Sequence, residues 1–413
     1  GIEMTDMALQ TPGDSTVITT PPGSAATSLV VCSLEPWGAV HRRIRILVDE
    51  IVELRPSLRV LYVAPPVDVL HQLRQHRLPD VTTPRLRQVH PRIHVLRPRK
   101  WWPRVIGPFA DRSLEHQFLH AVGSLGLDRP LLWINDAAYA PFAVRTGWPC
   151  LYDITDDWLL GPLTPRERVR LMANEGLLLE RSAAVVVCSP ALQRSRGHNR
   201  DVHLIPNGVD VALFRTPSPR PVDLPPGPVA LYVGTLHDER LDVSLVVELA
   251  TRRPDLHVVL VGPDSLSAGA GAMLRAVDNI HLLGPRPYQR VPAFMQHADV
   301  MIIPHLVNPF TESLDPIKAY ECLAVGRPTV ATPVAGFREL GPPVVVAKRH
   351  RFVESTAAAL AGAGPAGLPS SFENAPVPSW RTRAEAMLAV MDRLTDLDGA
   401  SGIDGVRTGA AER

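Results

Sequence analysis

The stretch VALYVGTLHDERLDVSLVVELATRRPDLHVVLV, residues 229–261, decides the fold class of this chain. It contains two short apolar runs, Val229–Val233 and His257–Val261, with a helical pattern at Val243–Thr251 between them. Near-continuous apolar runs of this length are typical of parallel strands that are buried on both faces of a sheet. The stretch therefore predicts a strand–helix–strand unit with parallel strands.

The same alternation continues on both sides of this unit, and it occurs twice along the chain. It predicts an α/β protein with two Rossmann-like, doubly wound domains that face each other across a cleft. The further predicted strands are Leu29–Cys32, Val60–Val63, Leu131–Ile134, Cys150–Tyr152, Ala184–Cys188, Ile280–Leu283, Val300–Ile303 and Thr329–Ala331. The further predicted helices are Arg42–Leu54, Pro165–Ser182, Tyr288–Ala298, Pro316–Val325 and Trp380–Leu394.

Length and sequence breaks divide the chain. With 413 residues, it exceeds the roughly 250–300 residues at which a single hydrophobic core stops growing. The segment TPSPRPVDLPPGP, ending at Pro228, is too rich in proline to continue a helix or a central strand. The predicted organisation is a disordered tail at 1–27, an N-terminal domain at 28–205, a linker at 206–228, a C-terminal domain at 229–378, a helix at 379–394 and a loose tail at 395–413.

Composition excludes several classes of protein. Hydrophobic residues make up 45% and charged residues 21%, which excludes wholesale disorder. The net charge of +1 gives no reason to expect a nucleic-acid partner. No apolar run is long enough to span a membrane and no secretory signal is evident, so we expect a cytoplasmic protein. The four cysteines form no C-x-x-C pair, so we expect buried free thiols and no metal site.

Candidate ligand-binding residues follow two predicted strands of the C-terminal domain. Ligands of open α/β sheets bind beyond the carboxyl ends of the strands. The loop after Val229–Val233 contains Gly234 and Arg240, and the loop after Val300–Ile303 leads into a helix with Lys318 in its first turn. A helix N-terminus attracts phosphate, and a bound anion would remove the conflict between Lys318 and the helix dipole. Glu321, three residues later, could accept hydrogen bonds from a ribose. The residues alone leave open a surface ion pair instead.

Six separated segments resemble family 4 of the retaining glycosyltransferases, which have the GT-B fold. The resemblance is greatest to the branch related to teichuronic-acid and other polysaccharide transferases, and it covers about residues 29–394. The segments are EPWGAVHRRIRILVDEI (Glu35–Ile51), YDITDDW (Tyr152–Trp158), VVCSPAL (Val186–Leu192), IPNGVDVALF (Ile205–Phe214), LLGPRPYQRVPAFMQHADVMIIP (Leu282–Pro304) and DPIKAYECLAVGRPTVAT (Asp315–Thr332).

The resemblance implies a role for several residues and for each domain. The C-terminal domain would bind a nucleotide-diphosphate sugar, the N-terminal domain would bind the acceptor, and the last helix would cross back to the N-terminal domain. No cofactor or metal ion would be needed. The implied roles are ribose binding by Glu321, phosphate binding by Arg240, Lys318 and the backbone of Leu314, Asp315 and Pro316, base binding by Gly284 to Arg286, and a contact of the Gly38 loop with acceptor and donor phosphate.

Two positions depart from the family pattern. The first glutamate of the family's E-x7-E motif, which contacts donor-sugar hydroxyls, falls at Ser313, with Glu312 beside it. Either Glu312 substitutes from a shifted loop, or the donor carries a modified sugar. The second departure is Thr235, where many relatives have arginine. This leaves Arg240 with a larger share of the phosphate charge.

Other charged residues have more than one interpretation. Asp153, Asp156 and Asp157 follow a predicted strand end, and we expect Asp156 or Asp157 to contact the acceptor, with helix capping as the alternative. Residues 74–104 are strongly basic and include Trp101 and Trp102. A membrane-surface contact there is conceivable, but a solvated loop is favoured.

The sequence therefore predicts a retaining, hexosyltransferase-like glycosyltransferase that acts on a small-molecule or glycan acceptor, with an unusual donor sugar in specialised metabolism as one option. Charge stabilisation by Arg240 and Lys318 would drive the reaction. A nucleotide-sugar epimerase and a non-catalytic nucleotide-sugar-binding subunit are the alternatives. The base, the sugar, the acceptor and the oligomeric state stay open.

Overall fold

The computed structural model describes residues 27–38, 41–68, 85–100, 108–364, 366 and 376–401. The predicted tail at 1–27 except for its last residue, most of the tail at 395–413 and the ends of the basic stretch at 74–104 lie outside these residues. Of the helices that are described, none combines the length and the apolar character that a membrane span requires.

The N-terminal half forms an eight-stranded sheet with the order β10-β9-β8-β7-β1-β2-β5-β4. Only the β4–β5 pair is antiparallel, and the other neighbours are parallel. The strands are β1 (Ser28–Cys32), β2 (Arg59–Val63), β4 (Leu86–His90), β5 (Ile93–Leu96), β7 (Leu131–Ile134), β8 (Cys150–Ile154), β9 (Ala184–Val187) and β10 (His203–Leu204). The short strands β3 (Val67–Asp68) and β6 (Arg99–Lys100) pair separately.

The C-terminal half forms a six-stranded, wholly parallel sheet with the order β13-β12-β11-β14-β15-β16. Its strands are β11 (Val229–Val233), β12 (His257–Val261), β13 (Ile280–Gly284), β14 (Val300–Ile303), β15 (Thr329–Ala331) and β16 (Val344–Val346). The direction of strand addition reverses between β11 and β14. In the first sheet the same reversal lies between β1 and β7.

Helices cover both faces of each sheet. They are α1 (Arg43–Leu54), α2 (Pro108–Ser124), α3 (Ala140–Thr146), α4 (Pro165–Arg181), α5 (Pro190–Arg196), α6 (Val211–Arg215), α7 (Val243–Arg252), α8 (Ala268–Arg275), α9 (Val291–Gln296), α10 (Pro309–Glu312), α11 (Ile317–Val325), α12 (Phe352–Gly362) and α13 (Trp380–Ser401). Short 3-10 turns lie at Ala137–Tyr139, Trp158–Leu160, Tyr288–Arg290 and Arg349–Arg351.

Burial on both faces explains the apolar runs of the sequence. In β1, Leu29 and Val31 belong to one hydrophobic cluster, whereas Val30 and Cys32 belong to the cluster on the opposite face. The C-terminal sheet is likewise packed on both faces. The predicted α/β fold class with two Rossmann-like domains is confirmed.

Several element boundaries differ from the predictions. The helix predicted at Tyr288–Ala298 is a 3-10 turn followed by α9, whose second residue is Pro292. Pro316 is the N-cap of α11 and not its first helical residue. The segment predicted as a linker contains the short helix α6. Helix α13 continues to Ser401, beyond residue 395, where a loose tail was predicted.

The last helix lies against the N-terminal sheet. Trp380, Ala384, Met387 and Met391, the predicted apolar face of α13, belong to the same hydrophobic cluster as residues of α1 and β1. The two chain crossings between the halves run side by side, since the Val209 amide donates to the carbonyl of Pro378 (3.0 Å) and the Trp380 amide donates to that of Val209 (3.2 Å). The two halves are therefore joined by two adjacent crossings.

Candidate active site

The C-terminal site lies at the reversal point between β11 and β14. In doubly wound sheets this is where the loops diverge and leave a crevice for a ligand. The loop after β11 carries Arg240, and the loop after β14 leads into α11. The two loops are bonded to each other, because the Leu306 amide donates to the carbonyl of Arg240 at 2.7 Å. The chain order thus brings together the two loops from which the site was predicted.

Arg240 is a half-buried cation without a carboxylate bonded to it. Its Nε is buried and has no hydrogen-bond partner among the described residues. The charge of Arg240 nevertheless lowers the pKa of Asp156, opposing burial, which has the larger effect and raises it. Asp156 follows β8 of the N-terminal sheet, so the two residues meet from opposite halves of the chain. An unpaired cation at this point is available to an anionic ligand.

A histidine next to Arg240 is held neutral. The Tyr232 hydroxyl lies 3.0 Å from Nε2 of His305. Burial, and then the charge of Arg240, lower the pKa of His305 to about 3. His305 therefore adds no positive charge to the cleft at neutral pH.

Lys318 and Glu321 form an ion pair on the first turns of α11, with the Lys318 amine in contact with a Glu321 carboxylate oxygen. The Glu321 side chain is only 2% exposed and that of Lys318 is 20% exposed. The pair is therefore largely buried, which does not match the alternative of a solvated surface pair. Helix α11 also has no side-chain cap hydrogen bond at its N-terminus. The Ala319 amide donates to the Pro316 carbonyl (3.0 Å), which leaves the amides of Ile317 and Lys318 for a ligand.

Asp315 and Pro316 shape the start of α11. The Asp315 carboxylate accepts from the Asn207 amide (2.7 Å) and from the Tyr320 hydroxyl (2.8 Å). Pro316 lies against Gly336, where an added Cβ would come within 2.4 Å of the proline Cδ. Gly336 also has a φ of +86°, which favours glycine. The Asp315 side chain therefore holds the loop in place.

Glu312 and Ser313 do not offer a free carboxylate. Glu312 forms an ion pair with Arg338 (2.6 Å), which lowers the pKa of Glu312, and accepts from the Ala335 amide. Ser313 is 2% exposed and its hydroxyl donates to the Phe310 carbonyl. Leu314 is half-buried beside it. Substitution by Glu312 was one of two explanations for the missing family glutamate, and the Glu312 carboxylate is already paired with Arg338.

The segment predicted to hold the base presents backbone and not a free guanidinium. Arg286 forms an ion pair with Asp223 (2.6 Å) and donates to the Leu283 carbonyl. Gly284 has a φ of +74°, and no described atom lies within 4 Å of where its Cβ would be. Gly234, at the end of β11, packs close to the Tyr232 ring. A ligand could therefore reach the backbone at Gly284.

The aspartates after β8 have three different environments. Asp153 is fully buried and pairs with Arg43 (3.3 Å). Asp157 is 6% exposed and accepts two hydrogen bonds from Arg196 (2.9 and 3.0 Å). It makes no cap hydrogen bond. Asp157 therefore takes part in an internal ion pair and not in a helix cap, and its contact with the acceptor stays a prediction. Asp156 is bonded only to the Thr155 hydroxyl (3.3 Å) among the described residues and stays the acceptor candidate.

Two arginines at the start of α1 were missed. Arg42 and Arg43 lie at the N-cap and first position of α1, and the charge of each lowers the pKa of Asp156. Cations at a helix N-terminus were the signal used for Lys318, and the same signal is present here. Gly38 lies in the exposed loop before them, and residues 39–40 are outside the described part of the chain.

Metal ligation has no support in the described part of the chain. There is no group of three or more His, Cys, Asp and Glu side chains that could hold a metal ion among those residues. All four cysteines, each of which is described, are buried free thiols.

Comparison with known proteins assigns the C-terminal half. Residues 227–363 match the family described as glycosyl transferases group 1. This match covers about a third of the chain. It is 25% identical over 236 residues to TuaH of Bacillus subtilis (strain 168), which is named as a teichuronic acid biosynthesis glycosyltransferase. That alignment covers 53% of this chain and 59% of TuaH, so the match spans about three fifths of this curated relative.

Solved structures with similar folds cover nearly the whole chain. The catalytic domain of starch synthase IV from Arabidopsis thaliana, bound to ADP and acarbose, has a TM-score of 0.60 at 11% identity and covers 90% of this chain and 100% of that domain. HepE from Anabaena, in complex with UDP and glucose, has a TM-score of 0.54 at 14% identity, with coverages of 92% and 100%. Identities this low show the fold alone, and that fold is GT-B.

Proposed function

We propose that this protein is a group 1 glycosyl transferase that transfers a sugar from a nucleoside diphosphate sugar to a small-molecule or glycan acceptor, with retention of anomeric configuration. The observation that carries the proposal is the unpaired Arg240 at the β11–β14 reversal point, next to the loop that starts α11. A half-buried cation that has no carboxylate partner among the described residues is suited to a ligand anion, and a diphosphate fits the adjacent helix N-terminus.

Arg240, Lys318 and the amides of α11 would stabilise the leaving diphosphate. As the bond between the anomeric carbon and the phosphate oxygen breaks, its electron pair moves to that oxygen. The added negative charge is stabilised more than the bound donor, and this difference accelerates the reaction. The acceptor would attack from the face that the diphosphate leaves, and its proton would pass to the departing phosphate oxygen. This order of steps would retain the anomeric configuration and would require no metal ion or other cofactor.

Glu321 would accept hydrogen bonds from the ribose hydroxyls. Lys318 orients the carboxylate through their ion pair, so the same pair would contact both ribose and phosphate. The base would meet the backbone around Gly284, because the Arg286 guanidinium is bound to Asp223. These contacts would place the donor on the C-terminal half of a cytoplasmic enzyme.

Asp156 would contact the acceptor from the N-terminal half. Burial raises its pKa, and the opposite charges of Arg240 and two further arginines lower it. A carboxylate in that position can orient an acceptor hydroxyl or amine toward the donor. Of the two aspartates predicted for this role, Asp156 is favoured because Asp157 is already paired with Arg196.

The donor sugar would be a modified one. Glu312 is bound to Arg338 and Ser313 is buried, so no carboxylate is placed to bind the sugar hydroxyls that the family glutamate contacts. A deoxy, amino or otherwise altered sugar would not need that contact. The same observation favours one second candidate function, a nucleotide-sugar-binding subunit without activity of its own.

The test is a transfer assay with matched donors. The glucose, amino-sugar and deoxy-sugar conjugates of UDP, GDP, ADP and dTDP are each incubated with a panel of acceptors. Nucleoside diphosphate release and product mass are measured by LC–MS, and the anomeric configuration is measured by NMR. We expect a retained glycoside from one donor class. An inverted product would contradict the mechanism, and an isomerised donor formed without acceptor would identify an epimerase.

A further inference from the structure

A buried chain of hydrogen bonds runs from the N-terminal half to the start of α11. The Arg43 side chain is 3% exposed and belongs to α1. It pairs with Asp153 (3.3 Å) and donates to Oδ1 of Asn207 (3.1 Å). Asp153 is fixed in turn by Nε1 of Trp133 (3.1 Å). Arg43 is therefore anchored in the N-terminal core and has one bond that leads out of it.

Asn207 continues the chain into the loop before α11. Its backbone amide donates to Asp315 Oδ2 (2.7 Å), and its side-chain amide donates to the Asp315 carbonyl. Its own carbonyl accepts from Nε of Arg383 (2.9 Å) in α13. All polar atoms of Asn207 are thus bonded, although it is only 6% exposed. A fully satisfied buried amide of this kind holds its partners in a single arrangement.

The loop that receives these bonds is also held by a second contact from the N-terminal half. The Ser189 hydroxyl donates to the carbonyl of Ser313 at 2.7 Å. The other oxygen of Asp315 is bonded to Tyr320, within α11. Residues 313–316 are therefore held at two points by residues outside the C-terminal domain, immediately before the helix N-terminus and Lys318.

We propose that Arg43 and Asn207 are positioning residues for the donor diphosphate. Acting through Asp315, they hold the backbone of residues 313–316 and the first amides of α11 in the geometry that binds phosphate. The role rests on the proposed function. Small displacements of such a preorganised site weaken charge stabilisation strongly. Because the anchor is Arg43, an N-terminal residue controls donor binding in the C-terminal half. By linkage, a bound donor strengthens the docking of the two halves.

The test compares substitutions along this chain of hydrogen bonds with a control substitution at the C-terminal end of α1. The variants are Asn207→Ala, the isosteric Asn207→Asp, Arg43→Met and their double combinations. The control is Arg55→Met, which removes the arginine at the C-cap of α1; this arginine pairs with Asp392 of α13 (2.5 and 2.8 Å) and does not touch the loop. Affinity for UDP, GDP, ADP and dTDP is measured by calorimetry, and amide exchange of residues 313–318 is measured without nucleotide.

We expect Asn207→Ala and Arg43→Met to weaken binding of the preferred nucleotide about tenfold and to accelerate amide exchange in residues 313–318. Arg55→Met should match wild type in both measurements. The double variant of Arg43 and Asn207 should be no weaker than the more severe single variant, because the two act in one chain. Asn207→Asp keeps the shape of the side chain but replaces the amide group that donates to the Asp315 carbonyl, so it should resemble Asn207→Ala. It provides the test if the Asn207→Ala variant does not fold.

Two failures can be told apart. Suppose that wild type binds a nucleotide, that Glu321→Ala does not bind it, and that Asn207→Ala binds it as well as wild type does and has unchanged amide exchange. The proposed function then stands and the positioning role is overturned. If no nucleotide binds to wild type, both are overturned. Weakening of the same size in Arg55→Met would also overturn the role, because any loosening of α1 would then have this effect.

Discussion

The substitution Arg240→Met separates stability from function at the centre of the cleft. Methionine keeps an apolar stem of similar length and removes the guanidinium, whose Nε is buried without a partner among the described residues. Loss of this cation leaves Asp156 without one of its opposite charges, but relieves an unsatisfied buried group. The two effects oppose each other, so we expect the free energy of unfolding to change by less than about 1 kcal/mol.

The effect on the reaction should be much larger. A unit charge about 4 Å from a phosphate oxygen, at an effective dielectric constant of about 20, contributes roughly 4 kcal/mol. Removal of one preorganised donor from a developing charge typically costs about 100- to 1,000-fold in rate. We therefore expect Arg240→Met to lower kcat by about 100-fold or more, and to weaken nucleoside diphosphate binding.

The assay pairs thermal unfolding with steady-state nucleoside diphosphate release. Arg275→Met is the control, because this exposed arginine of the same domain is bonded to Asp264 (2.7 Å) in an ordinary surface pair. It should leave kcat unchanged. The reasoning is refuted if Arg240→Met retains at least half of the wild-type kcat, or if it loses activity only in proportion to lost folded protein.

Further predictions use neighbouring residues as controls for one another. Asp157→Asn should destabilise the fold by about 1–2 kcal/mol, because Arg196 loses one of two buried carboxylate partners and keeps Glu175 (2.5 Å), whereas Asp156→Asn should leave stability nearly unchanged and lower the rate of transfer. Thermal melts and kcat for the two variants decide this, and equal melting temperatures would contradict it. Lys318→Ala should weaken nucleotide binding and also destabilise the protein by a few kcal/mol, because the buried Glu321 loses its partner; a stable variant would show that the pair is unimportant for folding. Burial raises the pKa of Glu35 to about 7, so its protonation stabilises the folded state fully below about pH 4.5, and this contribution is lost as the pH rises through about 7. The melting temperature of Glu35→Gln should therefore rise relative to that of wild type between pH 5 and pH 8. A difference between the two melting temperatures that does not change with pH would refute the raised pKa of Glu35.

The strands could be predicted because burial on both faces leaves a strong local signal. All ten strands predicted from apolar runs are present, with ends shifted by two residues at most. Strand β4 (Leu86–His90) gave no such signal because it lies at a sheet edge, and none of its five residues is buried. The position of the candidate site was predicted from the strand ends, and the structure places the loops that carry Arg240 and lead to Lys318 side by side.

Partner choice over long sequence distances could not be predicted. Asp157 and Arg196 are 39 residues apart, and their pairing depends on where α5 lies relative to the loop after β8. Asn207 and Asp315 are 108 residues apart and meet only in the folded arrangement of the chain. A carboxylate next to a strand end has the same local sequence whether it faces a ligand or an internal arginine.

Lys318, Arg43 and Arg240 differ in how their positive charges are balanced. Lys318 in the first turn of α11 is balanced by Glu321. Arg43 in the first turn of α1 is balanced by Asp153. Arg240, which is on a loop, has no such partner among the described residues. At the two helix starts, the unfavourable cation therefore belongs to an ion pair with a buried carboxylate. Arg240, which has no such partner among the described residues, is the cation on which the proposed function rests.

The most direct test of the central claim is calorimetric titration of wild type, Arg240→Met and Glu321→Ala with UDP, GDP, ADP and dTDP, and with the matching nucleosides. We predict that one nucleoside diphosphate binds with a stoichiometry of one, that its nucleoside binds at least tenfold more weakly, and that both variants lose affinity. Absence of binding at millimolar concentrations, or equal affinity in wild type and both variants, would contradict a diphosphate site at the β11–β14 reversal point.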